Sequence, residues 1–221
     1  MKKLAALVFI LIFSVLNVYA LPSETDDGIL YSIENGEVTI EGFNYAGNVM
    51  DVPSEIEGYP VKYIANQACR DNDAIIELHL PSSIEVIGEF AFADCKNLKK
   101  VVIKGADTVG YAAFKNCKKL SSLILPDGIR HIDDCAFENC VMLGKVEIPS
   151  SLESIGVNAF IGCDRLRFSI DNNEYAKQYA KQYSIPTSFF ESWTFTVIMI
   201  TVSAVIALAV IKAVSKAVKK K

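Results

Sequence analysis

Twelve-residue blocks of one design recur along the chain at a nearly constant step. "IGEFAFADCKNL" begins at Ile87, "VGYAAFKNCKKL" at Val109, "IDDCAFENCVML" at Ile132 and "IGVNAFIGCDRL" at Ile155, with a looser copy, "IANQACRDNDAI", at Ile64. The shared cysteines, Cys95, Cys117, Cys140 and Cys163, lie 22, 23 and 23 residues apart. A fixed step of this size is the mark of a stacked repeat, in which each unit buries its apolar face only against its neighbours.

Each block runs on into an alternating stretch, as in "IIELHLPSS" and "LGKVEIPSS". Leu78 and Leu80, Val101 and Ile103, Leu123 and Leu125, and Val146 and Ile148 occupy alternate places, the period of a half-buried strand. Pro81, Pro126 and Pro149 then end the ladder by withholding an N–H. Stacking the units gives a parallel sheet and sets Phe92, Phe114, Phe137 and Phe160 in one column. The cysteines take an inward place where a small, well-packing residue is wanted, so reduced structural thiols are expected, with Cys135 the odd one out.

The pattern "L..L.LP.....IG..AF..C..L", from about Asp51 to Leu166, resembles the BspA-type (treponemal-type) leucine-rich repeat. That resemblance implies a right-handed solenoid with its parallel sheet on the concave side. It also implies an exported, often surface-attached protein concerned with binding and adhesion. Local departures from the pattern are Cys69 for Phe, Asn72 for Cys, Lys104 for Pro and Asp133 for Gly.

The flanks complete an expected domain order. Residues 1–20 carry Lys2 and Lys3, then an apolar run closing in "VYA", which reads as a secretory signal peptide. Residues 21–50 contain "ILYSIENGEVTIEGF", a hairpin cap turning at Asn35-Gly36. The repeats fill 51–170. Residues 171–186 place Tyr175, Tyr179 and Tyr183 on one helical stripe as a C-terminal capping helix, and 187–193 form a linker. Residues 194–211 lack charge and as a helix would span about 27 Å, so a transmembrane helix is expected, with 212–221 as a basic cytoplasmic tail. This predicts a single-pass cell-membrane protein with its N-terminal domain outside the cytoplasm.

Of 22 Lys and Arg, 15 fall between the signal and the tail, against all 26 acids, a balance of about −11. Such a domain repels phosphates, which excludes nucleic acid as a partner. No Ser, His and acid spacing suggests catalysis, and no Cys or His pairing suits zinc, so no enzyme activity, cofactor or metal is expected. What remains is a surface. The outward places of the strands carry Glu77, His79, Lys100, Val102, Ser122, Ile124, Lys145 and Glu147. Val102 and Ile124, apolar and rimmed by charge, mark this as the candidate binding face for a protein or glycan. The alternative is a structural scaffold subunit of an envelope membrane complex.

Overall fold

The computed structural model describes residues 22–44 and 47–189. Within them the chain winds into a solenoid of short coils. The N-terminal part holds β1 (Ser23–Glu24), β2 (Ile29–Glu34), β3 (Glu37–Phe43), β4 (Val49–Asp51), β5 (Glu55–Ile56) and β6 (Tyr59–Ile64). The regular coils alternate a longer strand with a two-residue one: β7 (Glu77–Leu80) and β8 (Val86–Ile87), β9 (Lys100–Ile103) and β10 (Thr108–Val109), β11 (Ser122–Ile124) and β12 (His131–Ile132), β13 (Lys145–Ile148) and β14 (Ser154–Ile155). Strand β15 (Arg167–Ile170), helix α1 (Glu174–Gln182) and β16 (Thr187–Phe189) end the described chain.

The expected parallel stacking is present, as two ladders rather than one. The longer strands pair in parallel in the orders β4-β7-β9-β11 and β13-β15-β16. The Ile-Gly corners form a second ladder, β6-β8-β10-β12-β14, which sets Tyr63, Val86, Thr108, His131 and Ser154 side by side. Gly110 is glycine because a Cβ there would sit 2.7 Å from the Ile87 carbonyl of the coil before, and Gly88 meets the Ile64 carbonyl at the same distance. Coil four carries Asp133 in this place and still makes the same backbone bond, its N–H donating to the Val109 carbonyl.

Between the two ladders lies the recurring arc, and here the core is most regular. Phe92, Phe114, Phe137 and Phe160 stack with ring centroids 5.2, 5.3 and 5.2 Å apart and planes within 9° of parallel. Each arc also bonds to the next through three N–H groups. Those of Phe90, Phe92 and Asp94 donate to the carbonyls of Tyr111, Ala113 and Lys115, and the other steps repeat this. The spacing requires left-handed backbone two residues before and two after the ring position. Gln67, Phe90, Ala112, Cys135 and Asn158 hold the first place with φ of 52–61°, and Asp71, Asp94, Asn116 and Asn139 the second with φ of 59–62°. Asp and Asn tolerate this region because their side chains bond locally. Here they bond along the column, with Asn116 Nδ2 donating to Asp94 Oδ1 at 2.8 Å and Asn139 Nδ2 to Asn116 Oδ1 at 3.0 Å.

The cysteines do more than fill space. Cys95 donates its thiol hydrogen to the Cys69 carbonyl at 3.1 Å, Cys117 to Phe92 at 3.2 Å, Cys140 to Phe114 at 3.2 Å and Cys163 to Phe137 at 3.1 Å. A small side chain that can also donate into an apolar core is what the position needs, since an unpartnered buried carbonyl is costly. All six cysteines are free thiols. Contact with the Cys95 thiol, then burial, holds Cys117 well above the ordinary thiol pKa, and burial does the same for Cys140, so both keep the hydrogen they donate.

The two ends are closed by different means. In the hairpin of β2 and β3, Asn35 and Gly36 both adopt positive φ at the turn, and β3 pairs in parallel with β6, extending the short-strand ladder. At the other end α1 stands where a further arc would come. Asn173 caps it, accepting from the Ala176 N–H at 2.8 Å and donating to the Pro149 and Leu152 carbonyls at 3.1 and 2.7 Å. The tyrosine stripe covers the core and also satisfies the last short strand. Tyr175 Oη accepts from the Ile155 N–H at 3.2 Å and donates to the Ile155 carbonyl at 3.1 Å.

Three expectations need correction. Among the described residues no helix is long and apolar enough to cross a membrane. Helix α1 has nine residues, about 13.5 Å, far short of the roughly 30 Å of a hydrocarbon core. The expected fold class with a single transmembrane helix is therefore overturned, and so is the single-pass membrane placement drawn from it. Residues 194–211, on which both rested, lie outside the described residues, as do the signal at 1–20 and the basic tail. Third, the linker expected from residue 187 begins as structure: β16 pairs with β15, Phe168 opposite Thr187.

Candidate binding face

Six of the eight outward strand residues fall into two columns on the longer-strand face. In the first, Glu77 is registered with Lys100, and Lys100 with Ser122. In the second, His79 is registered with Val102, and Val102 with Ile124. The register adds a residue that spacing in the sequence did not reveal: Asp51 of β4 opposes His79, and its Oδ1 bonds His79 Nδ1. Asp51 lies 28 residues before His79, outside the 22–23-residue step, which hid it. Lys100 Nζ reaches Glu77 Oε2 at 3.2 Å, and His79 Nε2 lies 3.7 Å from the same oxygen. These pairs are solvent-screened and contribute little stability. They set a charged margin beside half-buried Val102 and exposed Ile124, the latter 51% accessible.

The face is not continuous. The ladder stops at β11 and resumes at β13, so Ser122 and Ile124 belong to one sheet and Lys145 and Glu147 to another. A hollow of about 310 Å³ opens at the break, lined by Ser122, Leu123, Ile124, Leu125, Lys145 and Glu147. Four of the eight sequence-chosen residues thus meet around one concavity, and Val102 adjoins it through its register with Ile124. Lys100 adjoins it in the same way through its register with Ser122, and Glu77 and His79 sit one strand further off, beside the hollow rather than in it. Lys145 Nζ bonds Glu147 Oε1 at 2.9 Å, and Arg167 lies beside Lys145 on β15, a second residue the sequence reading passed over. One apolar wall, one hydroxyl and a charge of each sign suit a polar partner with an apolar contact.

Other chemistry-bearing residues do not assemble. His131 Nδ1 lies 2.9 Å from Ser154 Oγ, but no carboxylate bonds its other nitrogen among the described residues, so it lacks the orienting third group of an activated nucleophile. Among the described residues no group of three or more His, Cys, Asp or Glu could hold a metal ion. Burial, then the neighbouring Asp134, raises the Asp133 carboxyl, while Asp134 Oδ1 accepts from the Val157 N–H at 2.6 Å. That bond ties Asp134 to the next coil.

Comparison with known proteins agrees with the coil geometry. The family described as "BspA type Leucine rich repeat region" matches residues 62–187 in six copies. A leucine-rich repeat protein of T. pallidum is 28% identical with a TM-score of 0.63, over 67% of this chain and 71% of that one. One from Bacteroides ovatus is 27% identical with a TM-score of 0.57, over 66% of this chain and 40% of that one. The pneumococcal vaccine antigen PcpA shares the fold at 19% identity and a TM-score of 0.58, over 79% of this chain and 48% of that one. The chain therefore spans less than half of the latter two proteins. No curated protein matches it.

Proposed function

The chain belongs to the BspA-type leucine-rich-repeat family, and on that premise we propose that it is a non-catalytic binding module that holds a protein or glycan partner on its longer-strand face. Proteins of leucine-rich repeats are generally interaction modules rather than enzymes. The observation that carries the reading is the break between β11 and β13, where exposed Ile124 and the Lys145–Glu147 pair surround a hollow in an otherwise continuous sheet. The signal-like pattern of residues 1–20 supports a site of action outside the cytoplasm.

The test compares the protein with a Val102→Lys, Ile124→Lys double variant, both immobilised and exposed to surface-protein extracts and to a glycan array. Partners held by the first and lost by the second are the expected result. Partners retained equally by both would remove this face from consideration and leave the fold untouched.

A further inference from the structure

The two ends of the solenoid differ in charge and in what their backbone offers. Residues 22–61 hold nine acids and no Lys or Arg. Glu24, Asp26 and Asp27 lie exposed at the outer edge of the hairpin, on and just after β1. Residues 157–189 hold three acids against four Lys or Arg. The chain has four arginines, of which Arg70 and Arg130 are paired with carboxylates. Arg165 and Arg167 have no carboxylate within 4.0 Å among the described residues, although the whole chain is acid-rich.

Both arginines, unpaired among the described residues, line a hollow of about 590 Å³ between the last arc and the C-terminal end of α1. Its wall includes the terminal arc itself, Phe160 to Leu166, with one carboxylate, Asp164. In every earlier arc three N–H groups donate forward to the next arc's carbonyls. No arc follows this one. The Phe160 N–H donates to the Tyr179 hydroxyl of α1 in place of a following arc's carbonyl. The outer places change character here as well. Earlier coils carry Glu89, Tyr111 and Asp134 in one place and Ala93, Lys115 and Glu138 in another, where the last carries Val157 and Ile161, 58% and 50% exposed. At the acidic end Val49 and Tyr59 are similarly exposed, at 41% and 43%.

We propose that the C-terminal hollow of one copy receives the acidic N-terminal edge, Ser23–Asp27, of a second copy. Arg165 and Arg167 meet Glu24, Asp26 and Asp27, and Val157 and Ile161 lose exposure to the partner. The contact joins unlike surfaces, so it leaves a free acidic edge and a free hollow at the ends of each pair. Such a heterologous contact continues into a chain of copies rather than closing at two.

The experiment follows the mass of the 221-residue protein in a non-ionic detergent by light scattering over a concentration series. In low salt the average mass should rise with concentration and pass two copies. At about 0.5 M salt, where the Debye length falls to roughly 4 Å, it should return towards one. An Arg165→Glu, Arg167→Glu variant and a Glu24→Lys, Asp26→Lys, Asp27→Lys variant should each remain single, with circular dichroism unchanged. Mixing the two should restore association, because the reversed ends are again complementary. A single copy at every concentration and salt would overturn the proposal. So would association that ignores both reversals, or that stops at a closed pair.

Discussion

The arcs and the longer-strand face belong to the same coils, yet they tolerate variation very differently. In the arcs a ring, a thiol and a left-handed Asp or Asn return at nearly every step, and the ring spacing is held within 0.1 Å across four coils. On the face the inward Leu, Val and Ile are kept but the outward residues change from rung to rung, and the ladder breaks between β11 and β13. The difference follows from what each side chain touches. An arc residue is packed against two neighbouring coils, so a misfit in one is felt by three. An outward strand residue touches its column and solvent, and can vary at little cost. Regularity is thus concentrated where the fold is held, and irregularity where a partner would be met.

That contrast can be broken by experiment. The largest effect should come from Phe114→Ala, which empties a fully buried site between two stacked rings. A loss of about 3–5 kcal/mol is expected in urea unfolding, and a loss below 1 would mean the column is not the core. Cys117→Ala removes the donor to the buried Phe92 carbonyl and should cost about 1–3 kcal/mol, more than a free thiol's packing alone would suggest. Asp133→Gly brings coil four back to the common pattern. Because burial raises this carboxyl, whatever stability Asp133 gives is present in acid and lost as pH rises through the raised pKa. The glycine variant should therefore gain on the parent near neutral pH, and the gain should shrink in acid. An unchanged difference across that range would show that the carboxyl charge plays no part. Smallest is the Val102→Lys, Ile124→Lys pair, which should shift stability by less than about 0.5 kcal/mol while removing partner capture. A collapse of the fold would place these residues in the core instead.

Much of this was readable in the residues, for a physical reason. Equal steps in a stacked repeat make equivalent positions neighbours, so the phenylalanine column and the row from Tyr63 to Ser154 followed from counting alone. The thiol donors did not, because they depend on where the carbonyl of the previous coil points. Asp94, Asn116 and Asn139 are of types that tolerate left-handed backbone, but Phe90, Ala112 and Cys135 share that geometry with nothing in their chemistry to announce it. Of the binding face, the eight residues were visible from alternation. The hollow among four of them was not, since a break in a ladder leaves no mark on periodicity. Strand β16 was missed because three residues carry too little pattern, and it takes its conformation from pairing with β15.

The interchangeability of the arcs has one more consequence. Phe114 lies 5.2 Å from Phe92 and 5.3 Å from Phe137, with the same orientation towards each. Excising one whole unit of 22 or 23 residues would bring matched surfaces together again and leave both terminal closures intact. The molecule works as a ruler marked in steps of about 5 Å, and its overall reach can be trimmed or extended one notch at a time.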